Sequence, residues 1–125
     1  MIAFVEDRLP ADPTAVPLAR HQLALALLTD VSEATLDTVL LLANEAVSSA
    51  LRSSSEPWRL RVDIEDVVAR VSVRYRSTGS ATSELDELRD TLFRELSDSW
   101  GTEVDAELGT TTIWFEVGLL ESPAA

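Results

Sequence analysis

The stretch Ser32–Ser55, SEATLDTVLLLANEAVSSALRSSS, decides how the rest of the chain is arranged. Leu36, Val39, Leu40, Ala43, Val47, Ala50 and Leu51 recur at steps of three and four. At about 100° per residue this spacing places them in one apolar stripe of a helix. Ser32 is a suitable N-cap, and Glu33 follows in the first turn, where the helix dipole favours an anion. The opposite side carries Leu41, Leu42, Glu45, Ser48 and Ser49, and leucines on that side predict a helix covered on both faces. Glu45 and Ser49, four residues apart, then share the second face.

Working outward, 125 residues with 46% apolar content suffice for a single domain with a real core. Residues 1–120 are expected to form that domain, with 121–125 a frayed tail. There is no cysteine, which removes disulfides and thiolate chemistry. The one histidine, His21, falls within a helical pattern and is read as a surface or satisfied helix residue rather than a catalytic one. No apolar run reaches the roughly 20 residues that span a bilayer. The first residues also lack a signal-peptide layout, so no membrane association and a cytoplasmic location are expected. A net charge of −12 disfavours nucleic acid, whose phosphates call for a basic surface. All ten basic residues are arginine, so mechanisms that need a lysine are closed.

Residues 2–6 read as a short strand. A turn with two prolines follows, and then a helix from Thr14 to about Leu28, with Pro17 tolerated in its first turn. Beyond the organising helix, Trp58, Leu60, Val62 and Ile64 alternate with Arg59, Arg61, Asp63 and Glu65. Ala69, Val71, Val73 and Tyr75 alternate with Arg70, Ser72, Arg74 and Arg76. This is an antiparallel hairpin with one face on a core and the other toward solvent. Half of the ten arginines lie on that outer face. It reads either as a solvated surface with cross-strand charge pairs or as a basic patch that docks an acidic partner. Ser83 and Asp86 resemble a capping box opening a third helix, with Leu85, Leu88, Leu92 and Leu96 as its packed stripe and Gly101 as its C-cap. Strands over 102–108 and 110–119, joined near Gly109, close the chain. The order β-α-α-β-β-α-β-β predicts a two-layer α/β sandwich, with helices on one face of a mixed, mostly antiparallel sheet whose other face is open.

Three segments resemble a known family. Leu9-Pro-Ala-Asp-Pro-Thr-Ala-Val-Pro-Leu-Ala-Arg20, Trp100-Gly101 and Gly109-Thr-Thr-Thr-Ile-Trp-Phe-Glu116 are similar to segments of actinobacterial anti-sigma-factor serine kinases. These belong to the histidine-kinase-like ATPase superfamily with the Bergerat fold, and the element order agrees along nearly the whole chain. The resemblance implies a Bergerat-like sandwich, a protein partner such as a sigma factor or an anti-anti-sigma protein, and a homodimer formed through the sheet.

The family's three ATP-binding boxes are degenerate here. In the first, a glutamate serves as base and an asparagine four residues on holds Mg²⁺. Glu45 matches, but Ser49 stands at the asparagine position, and Asn44 lies about 140° around the helix from it. In the second, an Asp-x-Gly accepts the adenine amino group, and this chain has Tyr75-Arg76-Ser77. In the third, a glycine-rich helix start offers bare N–H groups to phosphates. This chain has Leu85-Asp86-Glu87-Leu88, and Asp86 and Glu87 would repel them. Tyr75 and Leu85 are expected to fill the adenine space. The expected function is therefore a nucleotide-free regulatory module that binds a protein in transcriptional or stress signalling. It has no catalytic residue beyond a remnant Glu45, no metal and no cofactor. The alternative is an active ATP-dependent serine kinase, with Mg²⁺ and with Glu45 as base.

Overall fold

A computed structural model describes residues 2–27, 31–53, 58–65, 67–76 and 84–119. Its elements run β1 (Ile2–Leu9), α1 (Ala15–Leu27), α2 (Glu33–Ser53), β2 (Trp58–Glu65), β3 (Val68–Arg76), α3 (Glu84–Leu96), β4 (Ser99–Asp105) and β5 (Thr110–Gly118). The strands form one sheet in the order β1-β2-β3-β5-β4. Every pairing is antiparallel, the limiting case of the mostly antiparallel sheet expected.

The period-two alternation of β2, β3 and β5 survives as burial. Trp58, Leu60, Val62 and Ile64 turn inward with Ala69, Val71, Val73, Tyr75, Ile113, Phe115 and Val117. The three helices cover that face, and the other face is open. Removing such side chains from water is the main favourable term, about 1.5–3 kcal/mol for each large one. The indole N–H of Trp58 donates to the Pro10 carbonyl at 3.1 Å, so this buried ring has its polar atom satisfied where the chain leaves β1.

The organising helix starts as its sequence dictates. The Ser32 hydroxyl accepts the Thr35 N–H at 3.2 Å, and its carbonyl accepts the Leu36 N–H at 2.9 Å. Val39, Leu42, Ala43, Ala46, Val47, Ser49 and Ala50 are all buried, an arc of roughly 160°. The cover reaches Leu42 and Ser49 on the second face but stops short of Leu41, which is exposed. At the start of α1 the Thr14 carbonyl accepts the Leu18 N–H, which places Thr14 at the N-cap position. Its own N–H and hydroxyl turn back to the Asp12 carboxylate and hold that group below the usual carboxylate range. His21 is exposed on α1.

The third helix departs from expectation. Of its leucine stripe, Leu92 alone packs, half-buried against the core, while Leu85 is 52% exposed, Leu88 55% and Leu96 40%. The buried residues are Arg89 and Phe93, on a face roughly 90° around the helix. Phe93 explains the choice. Its ring meets Trp100 edge-on at 5.9 Å between centroids and Phe115 at 5.5 Å, an aromatic cluster that anchors the helix over β4 and β5. Because β4 is an edge strand, nothing among the described residues lies beyond it to receive the other three leucines, and inward-side Val104 is itself 72% exposed.

Gly101 is not a C-cap. The helix ends at Leu96, where the Ser97 N–H and hydroxyl donate to the Phe93 carbonyl, and Gly101 lies within β4. A Cβ there would come within 2.9 Å of the Trp114 indole, so the glycine lets that ring lie flat on the strand. Strand β4 consequently runs three residues earlier than expected. Asp105 accepts the Leu108 N–H at 3.1 Å, and Gly109, at φ 66°, closes the turn in a conformation that favours glycine. Ser77, Ser83 and residues 121–125 lie outside the described residues.

Candidate functional site

The second face of α2, the inner end of β3 and the first turns of α3 meet in one polar cluster. Ser49 lies at its centre and is 1% exposed. Its hydroxyl oxygen accepts from two guanidiniums, Arg52 Nη2 at 3.1 Å and Arg89 Nη1 at 3.1 Å. Arg52 belongs to the same helix, three residues on, while Arg89 reaches across from α3. Two charged donors aimed at one small hydroxyl leave no room for a third partner on that side.

Carboxylates balance the guanidiniums. Asp86 Oδ1 lies 3.4 Å from Arg89 Nη1 and 3.6 Å from Arg52 Nη2, bridging the two helices. Asp90 Oδ1 accepts from Arg89 Nε at 3.0 Å and Nη2 at 2.8 Å, a forked contact that fixes the guanidinium plane. Arg89 is 8% exposed, so its charge is tolerable only because these acceptors surround it. The cluster carries two positive and two negative charges. Asp86, at the acidic helix start, is met by two arginines.

Tyr75, the only tyrosine in the chain, is buried at the cluster's edge. Burial pushes its hydroxyl above the ordinary phenol range, and the nearby Arg89 charge opposes that rise. A hydrogen bond with Ser53, at the end of α2, opposes it further. Tyr75 thus fills interior space. Leu85 does not, because the rotation of α3 carries it into solvent. Glu87 is also exposed on α3, away from the cluster. Glu45 is half-buried, one turn before Ser49 on α2, at the rim. Among the described residues, no three His, Asp or Glu side chains converge as metal ligands would.

The structure therefore brings together Ser49, Tyr75 and Asp86 from the sequence-derived set, and adds Arg52, Ser53, Arg89 and Asp90. The additions have a sequence signal: Asp86, Arg89 and Asp90 stand at i, i+3 and i+4, and Ser49 and Arg52 at i and i+3, spacings that put charges side by side on a helix. The leucine stripe on the same helix outweighs that signal on hydrophobicity alone.

The open face of the sheet holds the other arginine group. Arg61 forks onto Asp63 at 2.8 Å and 3.1 Å. Arg70 lies 4.1 Å above the Trp114 ring and 3.9 Å from Glu116. Arg74 donates to the Thr112 hydroxyl at 3.3 Å.

No protein-family model matches the chain, and no curated protein matches it. No described helix is long and apolar enough to cross a membrane.

Proposed function

We propose that this protein is a nucleotide-free regulatory module, similar in fold and role to anti-sigma factors, that acts in the cytoplasm by binding another protein. The observation that carries this reading is the occupancy of Ser49. In the resembled family this position supplies an Mg²⁺ ligand, whereas here its hydroxyl oxygen is engaged by Arg52 and Arg89. The neighbouring positions agree. Tyr75 fills the interior where an adenine acceptor would stand, and Asp86 is tied between the same two arginines. These residues do not fit ATP with Mg²⁺: the metal-ligand position is taken, and the acidic helix start offers carboxylates where phosphates need donors. No phosphoryl-transfer step is therefore assigned to Glu45.

The partner class comes from the resemblance: a sigma factor or an anti-anti-sigma protein. The test is co-purification from the source cell with nucleotide hydrolysed by apyrase and divalent metal chelated. The expected result is a bound sigma factor or antagonist, recovered equally with and without added MgATP. Recovery only in the presence of MgATP would contradict the proposal.

A further inference from the structure

We propose that the free edge of β4 pairs with the same edge of a second copy of this chain, joining two sheets into one and closing the leucines of α3 over the seam. The inference stands apart from the regulatory reading above, because it concerns copy number and the surface that sets it. Strand β4 ends the sheet, so its outer backbone groups meet no strand among the described residues. Such an edge is a template for another strand. An apolar flank lies beside it. Asp86 turns toward Arg52 of α2, and Leu85 and Leu88 stand about 100° and 160° around α3 from it, on the side away from α2. With Leu96, and with Val104 on the inward side of β4, they form an exposed apolar strip along this edge.

Register and charge select a second copy as the occupant. A two-fold axis perpendicular to the sheet keeps inward side chains facing inward ones. Strand β4 has seven residues, with Thr102 at the midpoint. An axis at Thr102 pairs the strand along its whole length: Ser99 faces the second copy's Asp105, Trp100 its Val104, and Gly101 its Glu103. An axis at Glu103 would set two carboxylates directly opposite each other, which opposes pairing. An axis at Gly101 would set apolar Val104 against Asp98. The Thr102 register also brings an acceptor to an unused donor. The Trp114 indole lies over Gly101 with Nε1 among its nearest atoms, and this N–H makes no hydrogen bond among the described residues. Arg70, 3.9 Å from Glu116, stacks 4.1 Å above the same ring. Glu103 is exposed, and from the second copy it carries a carboxylate to that N–H and guanidinium. Symmetry makes the contact twice. Above the seam, Phe93 packs on Trp100 and Phe115, which face each other across β4 and β5, so α3 runs over the gap between those strands. With strands about 4.8 Å apart, the two copies of α3 run about 10 Å apart, the spacing at which helices pack.

The test uses the whole chain, in sedimentation at rising concentration and in disulfide trapping, since the sequence has no cysteine. The expected result is a reversible dimer. The double variant Leu88→Glu/Val104→Glu, shown folded by its melting curve, should dimerise about tenfold or more weakly. Leu25→Glu, at an exposed leucine on α1, should dimerise as the unaltered chain does. Thr102→Cys should oxidise to a covalent dimer, because facing Cα atoms lie about 4.5–5.5 Å apart, within disulfide reach. Asp105→Cys should stay unlinked, because its two copies stand at opposite ends of the seam, about 20 Å apart. A monomer up to about 100 μM, a dimer that the double variant leaves unchanged, or linkage of Asp105→Cys as efficient as that of Thr102→Cys would overturn the proposal. So would a monomer that captures another protein and releases it in the double variant, since the edge would then serve a different chain. None of these outcomes depends on a sigma factor or on MgATP, so failure here is distinguishable from failure of the regulatory reading.

Discussion

Arg89 and Arg74 are the same side chain in two electrostatic situations. Arg89 is buried between α2 and α3, and all its contacts are internal: a serine oxygen shared with Arg52 and two aspartates within a turn of its own helix. Arg74 stands on the open sheet beside a like charge in register and reaches a threonine hydroxyl. The first arrangement is largely enclosed, with positive and negative charges side by side and Arg52 at its solvent edge. The second is open to solvent, and Arg74 shares a surface depression with Glu103 and Asp105. One polar region therefore reads as buried architecture and the other as a solvated sheet surface on which arginines and carboxylates are interspersed.

The largest expected effect comes from breaking the closed cluster. Arg89→Ala removes the donor to Ser49, Asp86 and Asp90 and leaves two half-exposed carboxylates without their main partner. Loss of one member of a buried ion pair costs about 3–5 kcal/mol, and partial solvation of these aspartates lowers the expectation to about 2–3 kcal/mol in urea unfolding. Arg89→Lys should recover only part of this, because one ammonium cannot reproduce the fork to Asp90. A loss below about 0.5 kcal/mol for Arg89→Ala would mean that the cluster is an ordinary surface network.

A second effect appears only in alkali. The folded-state Tyr75 hydroxyl titrates above its unfolded value near 10, so the protonated form is favoured by the fold. That contribution is fully present below about pH 10 and is lost as pH rises through the folded value. The unfolding free energy should therefore fall above pH 10 in the unaltered chain, and fall less steeply in Tyr75→Phe. Because Tyr75 is the only tyrosine, its absorbance titration reports the shift directly. An ordinary midpoint would place the hydroxyl in solvent.

The smallest effect belongs to the open face. Arg74→Gln removes a like-charge neighbour of Arg59 and should leave stability unchanged within about 0.5 kcal/mol, or raise it slightly. A clear loss would show that Arg74 is part of the fold's own stabilisation and would erase the contrast with Arg89.

Much of this arrangement was legible in the sequence where a single physical rule applied. The Ser32 cap, the two-residue alternation of β2, β3 and β5, and the turn at Gly109 each follow from one local requirement. The third helix was harder, because two of its faces obey helical periodicity. Leu85, Leu88, Leu92 and Leu96 form the more apolar one, yet only Leu92 of them packs against the core and full burial goes to Arg89 and Phe93, which meet Trp100, Phe115 and Ser49. Periodicity identifies faces; the neighbouring layer selects between them. The same limit hid the site. Ser49 and Tyr75 were legible as departures from an ATP-binding pattern, but the two arginines that now occupy the region come from an i, i+3 spacing that is common on any solvated helix. Gly101 was misplaced for a related reason: its requirement comes from the Trp114 ring across the strand pair, not from its own chain neighbours.

The central claim is that this polar cluster is closed to nucleotide, and the most direct test is the unfolding free energy of the whole chain titrated with MgATP. A ligand at one hundred times its dissociation constant stabilises the folded state by about 2.7 kcal/mol. The account predicts no shift up to millimolar MgATP. A saturating rise in stability that requires both ATP and Mg²⁺ would contradict it.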